Sequence, residues 1–107
     1  MFDSILVANR GEIALRIMRT AQAMGIQTIA IYVDADKDAP HVRFADKAVL
    51  LPDGGYLDID AVLDAAQKSN AGAIHPGYGF LSENAEFAQR VNQENIFGLG
   101  PHLKSFP

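Results

Sequence analysis

Apolar residues along the chain follow two alternating periodicities. Ile5-Leu6-Val7-Ala8 is a short unbroken apolar run followed by turn-forming residues, as expected of a strand buried in a parallel sheet. Beyond it, Ile13, Ile17, Ala21 and Met24 recur at i, i+4, i+8 and i+11, which predicts a helix with one inward face. Asn9 with Glu12 three residues later has the form of a capping box for this helix, asparagine replacing the usual hydroxyl residue. Gly25 occupies the C′ position that would stop it. Glu12 and Arg16, spaced i,i+4 in the favourable order, predict an outer ion pair, and Arg19 extends that basic face.

Thr28 to Val33 is rich in β-branched residues and reads as a second buried strand. An acidic loop follows from Asp34 to Asp38, then one short helical turn from His41 to Ala45. Ala48 to Leu51 forms a third strand ended by Pro52-Asp53-Gly54-Gly55. Asp58 caps a second helix whose Ile59, Val62, Leu63 and Ala66 share a face. Gly72 to Ile74 is a brief fourth strand. Ser82 then serves as N-cap of a helix with Phe87, Ala88 and Val91 inward, and Ile96 to Leu99 is a fifth strand ended by Gly100-Pro101. Strands alternating with helices predict an α/β fold: a doubly wound, mainly parallel sheet of about five strands with flanking helices. The first βαβ unit requires a right-handed crossover. A length of 107 residues makes this one domain, 1–107.

Composition removes several functions. A formal net charge of -4 leaves no general basic footprint for nucleic acid. The absence of cysteine excludes disulfides, thiolate metal sites and cysteine nucleophiles. No apolar run reaches the roughly 18 residues of a membrane span, and the N-terminus enters a strand without room for a signal or transit peptide. A cytoplasmic protein that does not engage membranes is expected.

Three motifs fail on inspection. Gly11 after the first strand and Asp34 further on suggest a dinucleotide-binding turn, but Ile13 and Arg16 stand where the second and third glycines belong. Glu12 in the first helical turn would also repel a phosphate there. Asp34, Asp36 and Asp38 alternate like the start of a calcium loop, yet Ala39 and Ala45 replace the glycine and the bidentate glutamate; a solvated acidic loop is the better reading. His41, His75 and His102 lack metal-ligand spacing, so no metal site is expected, and no serine or threonine sits in a nucleophile elbow.

The segment from His75 to Ala85 carries more chemistry. His75 stands at the C-terminal end of a predicted strand, beyond which ligands of open α/β sheets bind. Gly77 and Gly79 flank Tyr78, allowing close approach by backbone and ring. Glu83 makes the loop a poor phosphate cradle, better suited to a neutral polar ligand or a protein segment. The same pattern also fits a glycine-rich turn with Tyr78 packing locally, and residue chemistry leaves both readings open.

Ile5-Leu6-Val7-Ala8-Asn9-Arg10-Gly11-Glu12-Ile13-Ala14 resembles the opening of the biotin carboxylase family. The likeness continues through Ala35-Asp36, His41-Val42, Ala45-Asp46 and Tyr56-Leu57-Asp58-Ile59, and culminates in the specific loop from His75 to Ala85. It implies the N-terminal, Rossmann-like subdomain that precedes the ATP-grasp part of such enzymes. The family uses MgATP to activate bicarbonate and carboxylates N1′ of biotin held on a carrier protein, and it serves acyl-CoA, pyruvate and urea carboxylases. ATP, magnesium and biotin are thus implied for a complete enzyme. The implied partners are the remaining biotin carboxylase domains, a biotin carboxyl carrier protein or domain and a carboxyltransferase.

The family's catalytic residues fall beyond this chain, so no catalytic residue, tight cofactor site or activity is expected of it alone. By resemblance, Tyr78 and Gly79 lie beside the biotin pocket, with His75, Gly77 and Glu83 in the same loop. Arg16 and Arg19 match positions of a homodimer contact, although Ala23 replaces an acidic partner often found there. The ending His102-Leu103-Lys104-Ser105-Phe106-Pro107 departs from the family's pattern, as expected of a fragment or of a truncated reading frame. The rival expectation is a stand-alone binding or assembly module that retains the subdomain fold.

Overall fold

The computed structural model describes residues 2–99. Five strands, β1 (Ser4–Val7), β2 (Gln27–Tyr32), β3 (Lys47–Leu50), β4 (Ala73–His75) and β5 (Phe97–Gly98), form a single sheet in the order β3-β2-β1-β4-β5. Every pairing is parallel, Leu6 of β1 lying between Ile29 of β2 and Ile74 of β4. The helices are α1 (Gly11–Ala23), α2 (Pro40–Phe44), α3 (Ile59–Lys68) and α4 (Ala85–Gln93), with 3-10 turns at Asp34–Asp36 and Gly55–Leu57.

Alternation along β1 explains why helices cover both faces. Val7 packs with Ala14 and Met18 of α1, and Ile5 packs with Ala21 of the same helix. Leu6 faces the opposite way, into the larger core built by Val62, Leu63 and Ala66 of α3 and Phe87 and Val91 of α4. The fold is the doubly wound parallel sheet expected from the pattern.

The inward face of α1 differs from expectation. Its buried residues are Ala14, Leu15, Met18 and Ala21; Ile13 and Ile17 are half-buried and Met24 is 66% exposed. Small Ala14 and Ala21 let the helix lie close on β1 and β4, which turns the bulkier Ile13 and Ile17 to the flank. With Met24, Ile26, Tyr78 and Leu99 they line an open apolar groove. The predicted Glu12–Arg16 pair does not form either: Glu12 meets Arg19 at 3.4 Å, both well exposed.

The C-terminal ends of α1, α3 and α4 are closed by left-handed residues. At α1, Gly25 (φ +80°) follows the cap; its N–H donates to the Gln22 carbonyl and that of Ile26 to the Ala21 carbonyl. Asn70 (φ +56°) and Asn95 (φ +59°) do the same after α3 and α4. Asp58 caps α3 as expected, accepting from the Ala61 N–H at 3.1 Å. Ser82 does not cap α4. Asn84 does, accepting from the Phe87 N–H at 2.9 Å, while Ser82 is buried in the preceding turn.

His41 of α2 is fully buried. Its Nε2 donates to the Ile31 carbonyl at 3.3 Å, and Nδ1 has no partner among the described residues. Burial therefore pushes its pKa below the ordinary 6.5, and burial does the same for His75. A native state that refuses protons which the unfolded chain accepts loses stability as pH falls below 6.5. The urea midpoint should thus be level from pH 8 to 7 and decline between pH 6.5 and 5. A midpoint unchanged to pH 5 would contradict the burial of these rings.

Candidate functional site

The chain runs outward from β1 through β2 to β3, then returns to place β4 on the other side of β1. This reversal opens a crevice beyond the C-terminal ends of β1 and β4, where ligands of open α/β sheets bind. One lip is the β1–α1 turn at Ala8, Asn9 and Arg10. The other is the loop from Pro76 to Asn84 between β4 and α4, and the Ala8 N–H donates to the His75 carbonyl at 2.8 Å at the base.

The loop residues singled out by sequence come together here. His75, half-buried at the end of β4, accepts the Gly77 N–H on Nδ1 at 3.1 Å, so its remaining hydrogen sits on Nε2. Gly77 has φ +66° and lies against Asn9, whose Nδ2 would be 2.7 Å from an added Cβ. Tyr78 is 69% exposed and borders the apolar groove beside Ile13 and Ile17. Gly79 (φ +71°) borders open space, and Glu83 is exposed at the far end of the loop.

Phe80 adopts φ +47°, an uncommon conformation for a bulky side chain. Its ring leans on Tyr56, with centroids 5.3 Å apart. The Tyr56 hydroxyl donates to Asp36 Oδ2 at 2.7 Å, and Arg10 grips the same carboxylate through Nε at 2.7 Å and Nη2 at 2.8 Å. The Arg10 guanidinium holds the Asp36 carboxyl down at about 2, and burial beside that carboxylate pushes the Tyr56 hydroxyl up to about 12. A chain of contacts thus runs from the first lip through the turns after β2 and β3 to the second lip.

This network corrects two expectations. Asp36 does not belong to a merely solvated acidic loop: its side chain is 11% exposed and joins three elements. Asn9 is not the cap of α1. Arg10 holds that position without a side-chain cap, and Asn9, 1% exposed, turns toward the opposite lip. Its Nδ2 donates to the carbonyls of Pro76 at 2.9 Å and Tyr78 at 2.7 Å, and its Oδ1 accepts the Arg10 N–H at 2.8 Å.

Arg16 and Arg19 stand apart from the loop residues, both exposed on α1. Arg16 borders the apolar groove and forms no ion pair among the described residues. Among those residues no three His, Asp or Glu side chains gather to hold a metal ion, and no helix is long and apolar enough to cross a membrane.

A doubly wound parallel sheet whose strand order reverses between β1 and β4 defines a Rossmann-like domain. The sequence matches the family described as biotin carboxylase, N-terminal domain, over residues 1–106, and the chain belongs to that family. Biotin carboxylase 2 of Bacillus subtilis (strain 168) is 52% identical over 105 residues, covering 94% of this chain and 24% of the relative. The mitochondrial propionyl-CoA carboxylase alpha chain of Homo sapiens is 51% identical over 104 residues, covering 94% and 14%. Among solved structures, the biotin carboxylase domain dimer of Hydrogenobacter thermophilus 2-oxoglutarate carboxylase, in complex with MgADP, ADP and bicarbonate, aligns with TM-score 0.90 and 46% identity. That alignment covers 95% of this chain and 23% of the other. The chain therefore spans about a quarter or less of these relatives.

Proposed function

We propose that the chain is the N-terminal domain of an ATP-dependent biotin carboxylase that carboxylates carrier-bound biotin with bicarbonate, within a cytoplasmic acyl-CoA carboxylase. The observation that carries this reading is the exposed Tyr78 between Gly77 and Gly79 at the mouth of the β1/β4 crevice, in a chain about half identical to named biotin carboxylases. Tyr78 and Gly79 offer a ring face and open backbone to biotin, with His75 and Gly77 shaping the loop and Glu83 at its rim.

MgATP does not fit the residues present. Arg10 at the β1–α1 turn is engaged by Asp36, Glu12 occupies the first turn of α1, and the described acidic side chains do not converge. Nucleotide, magnesium and the bond-making steps are assigned to the remaining domains, as are the contacts with the biotin carrier and the carboxyltransferase. The chain contributes one wall of the biotin pocket. Arg16, beside exposed Met24 and half-buried Ile13 and Ile17, supports a homodimer or interdomain contact on α1, with Arg19 next to it. That same apolar flank is what favours the second reading, a stand-alone assembly module.

A chimaera distinguishes them. This chain should replace the matching segment of Bacillus subtilis biotin carboxylase 2 with biotin-dependent ATP hydrolysis retained, whereas the chain alone should give only background. In the chimaera, Tyr78→Ala should raise KM for free biotin by about 10-fold, the worth of one aromatic contact, with KM for ATP within about 2-fold. Loss of all activity in a folded chimaera would favour the assembly module, and unchanged biotin kinetics would return Tyr78 to a surface role.

A further inference from the structure

We infer that Asn9 is the positioning residue of the 76–80 loop, and that its carboxamide makes the exposed edge of that loop a row of hydrogen-bond donors. This rests on the loop being a ligand wall and adds the group that holds it in shape.

Asn9 is 1% exposed, so its carboxamide has to find partners within the protein. The two hydrogens on Nδ2 match two acceptors on the opposite lip, the carbonyls of Pro76 and Tyr78. The Arg10 N–H bonded to Oδ1 fixes which end of the amide faces the loop. An aspartate of the same shape would set lone pairs against two carbonyl oxygens, so the donors matter and not only the volume.

The consequence for binding follows from what remains free. The Pro76 and Tyr78 carbonyls are capped from behind by Asn9, and the Gly77 N–H is held by His75 Nδ1. The N–H groups of Tyr78, Gly79 and Phe80 have no acceptor among the described residues. These sit where the left-handed turns at Gly77, Gly79 and Phe80 swing the backbone around, and Gly79 borders open space. Such an edge recognises a ligand that brings oxygen acceptors. The exposed carboxylate of Glu83 at the rim selects against one that brings several negative charges. Without Asn9, the Pro76 and Tyr78 carbonyls would turn to water, and the edge would present acceptors and donors without order.

The test uses the 107-residue chain labelled with nitrogen-15, without biotin, so its outcome is separate from that of the chimaera. In the unmodified chain the Asn9 side-chain amide hydrogens should exchange about 10-fold or more slowly than those of exposed Asn95. In both Asn9→Ala and Asn9→Asp, the Gly77 and Ser82 amides should lose protection by about 10-fold or more, with the β1 and β2 amides within about 2-fold of the parent. Asn9→Asp decides between donors and shape. If it keeps the parent's loop protection, the side chain serves only as a filler and the inference is overturned. Should neither variant fold, the unmodified chain still decides, because Asn9 amide hydrogens exchanging as fast as those of Asn95 would also overturn it.

Discussion

Replacing Gly77 with alanine is expected to destabilise the chain by about 2–5 kcal/mol, with the loss concentrated at the ligand lip. Two effects add. A φ of +66° costs a residue with a Cβ about 1–2 kcal/mol. The new methyl would also stand 2.7 Å from Asn9 Nδ2 and 3.1 Å from Ile13 Cγ2, an overpacking worth about 1–3 kcal/mol. Gly79 is the internal control: its φ is +71° but nothing lies within 4 Å of an added Cβ, so Gly79→Ala should cost only the first part, about 1–2 kcal/mol. Urea unfolding of both variants separates strain from crowding. In an Asn9→Ala background the crowding is relieved, and Gly77→Ala should cost about 1 kcal/mol less than in the parent. Additivity within about 0.5 kcal/mol would show that the two residues do not contend for one space.

Such coupling explains why the sheet was legible in the sequence and the lip was not. Ile5-Leu6-Val7, Ile29–Tyr32 and Ala73-Ile74 are continuous apolar runs, and their placement in a parallel sheet follows from burial on both faces. Asp58 and Gly25 were readable because each acts within its own helix terminus. Asn9 departs from its local pattern for the opposite reason. Its spacing to Glu12 satisfies a local rule, yet the partners it takes are 67 and 69 residues away. Asp36 likewise serves Arg10 and Tyr56, 26 and 20 residues distant. A usable signal is the pairing of a polar residue at Asn9 with a small one at Gly77, one on each side of the reversal that the structure places between β1 and β4. The α1 face shows another limit of periodicity. Ile13, Ile17 and Met24 are more hydrophobic than Ala14 and Ala21, but close packing on the sheet favours the smaller pair.

Phe87→Ala should cause the largest loss of any single substitution away from the loop, about 3–5 kcal/mol. Its ring is fully buried, joined in one core with Val62, Leu63 and Val91 between α3, α4 and the sheet. For a domain whose total stability is of the order of 5–15 kcal/mol, that is about a fifth or more of what is available. The residue also links core to site. Its backbone N–H is the donor that Asn84 caps, and Asn84 ends the loop that begins at Pro76. Removing the ring frees the start of α4 to shift, and the lip loses its fixed end while Asn9 still holds the other. The surface pair of Arg90 and Asp60, which also joins α4 to α3, cannot compensate, because exposed ion pairs contribute little. Thermal unfolding should show Tm lower by about 10 °C or more for Phe87→Ala and nearly unchanged for Arg90→Ala. At a temperature where Phe87→Ala remains folded, amide protection at Ser82 should fall further than at Gly77, since Ser82 lies nearer the released end. Equal loss at both amides would mean that the loop moves as one body and that α4 does not set its far end.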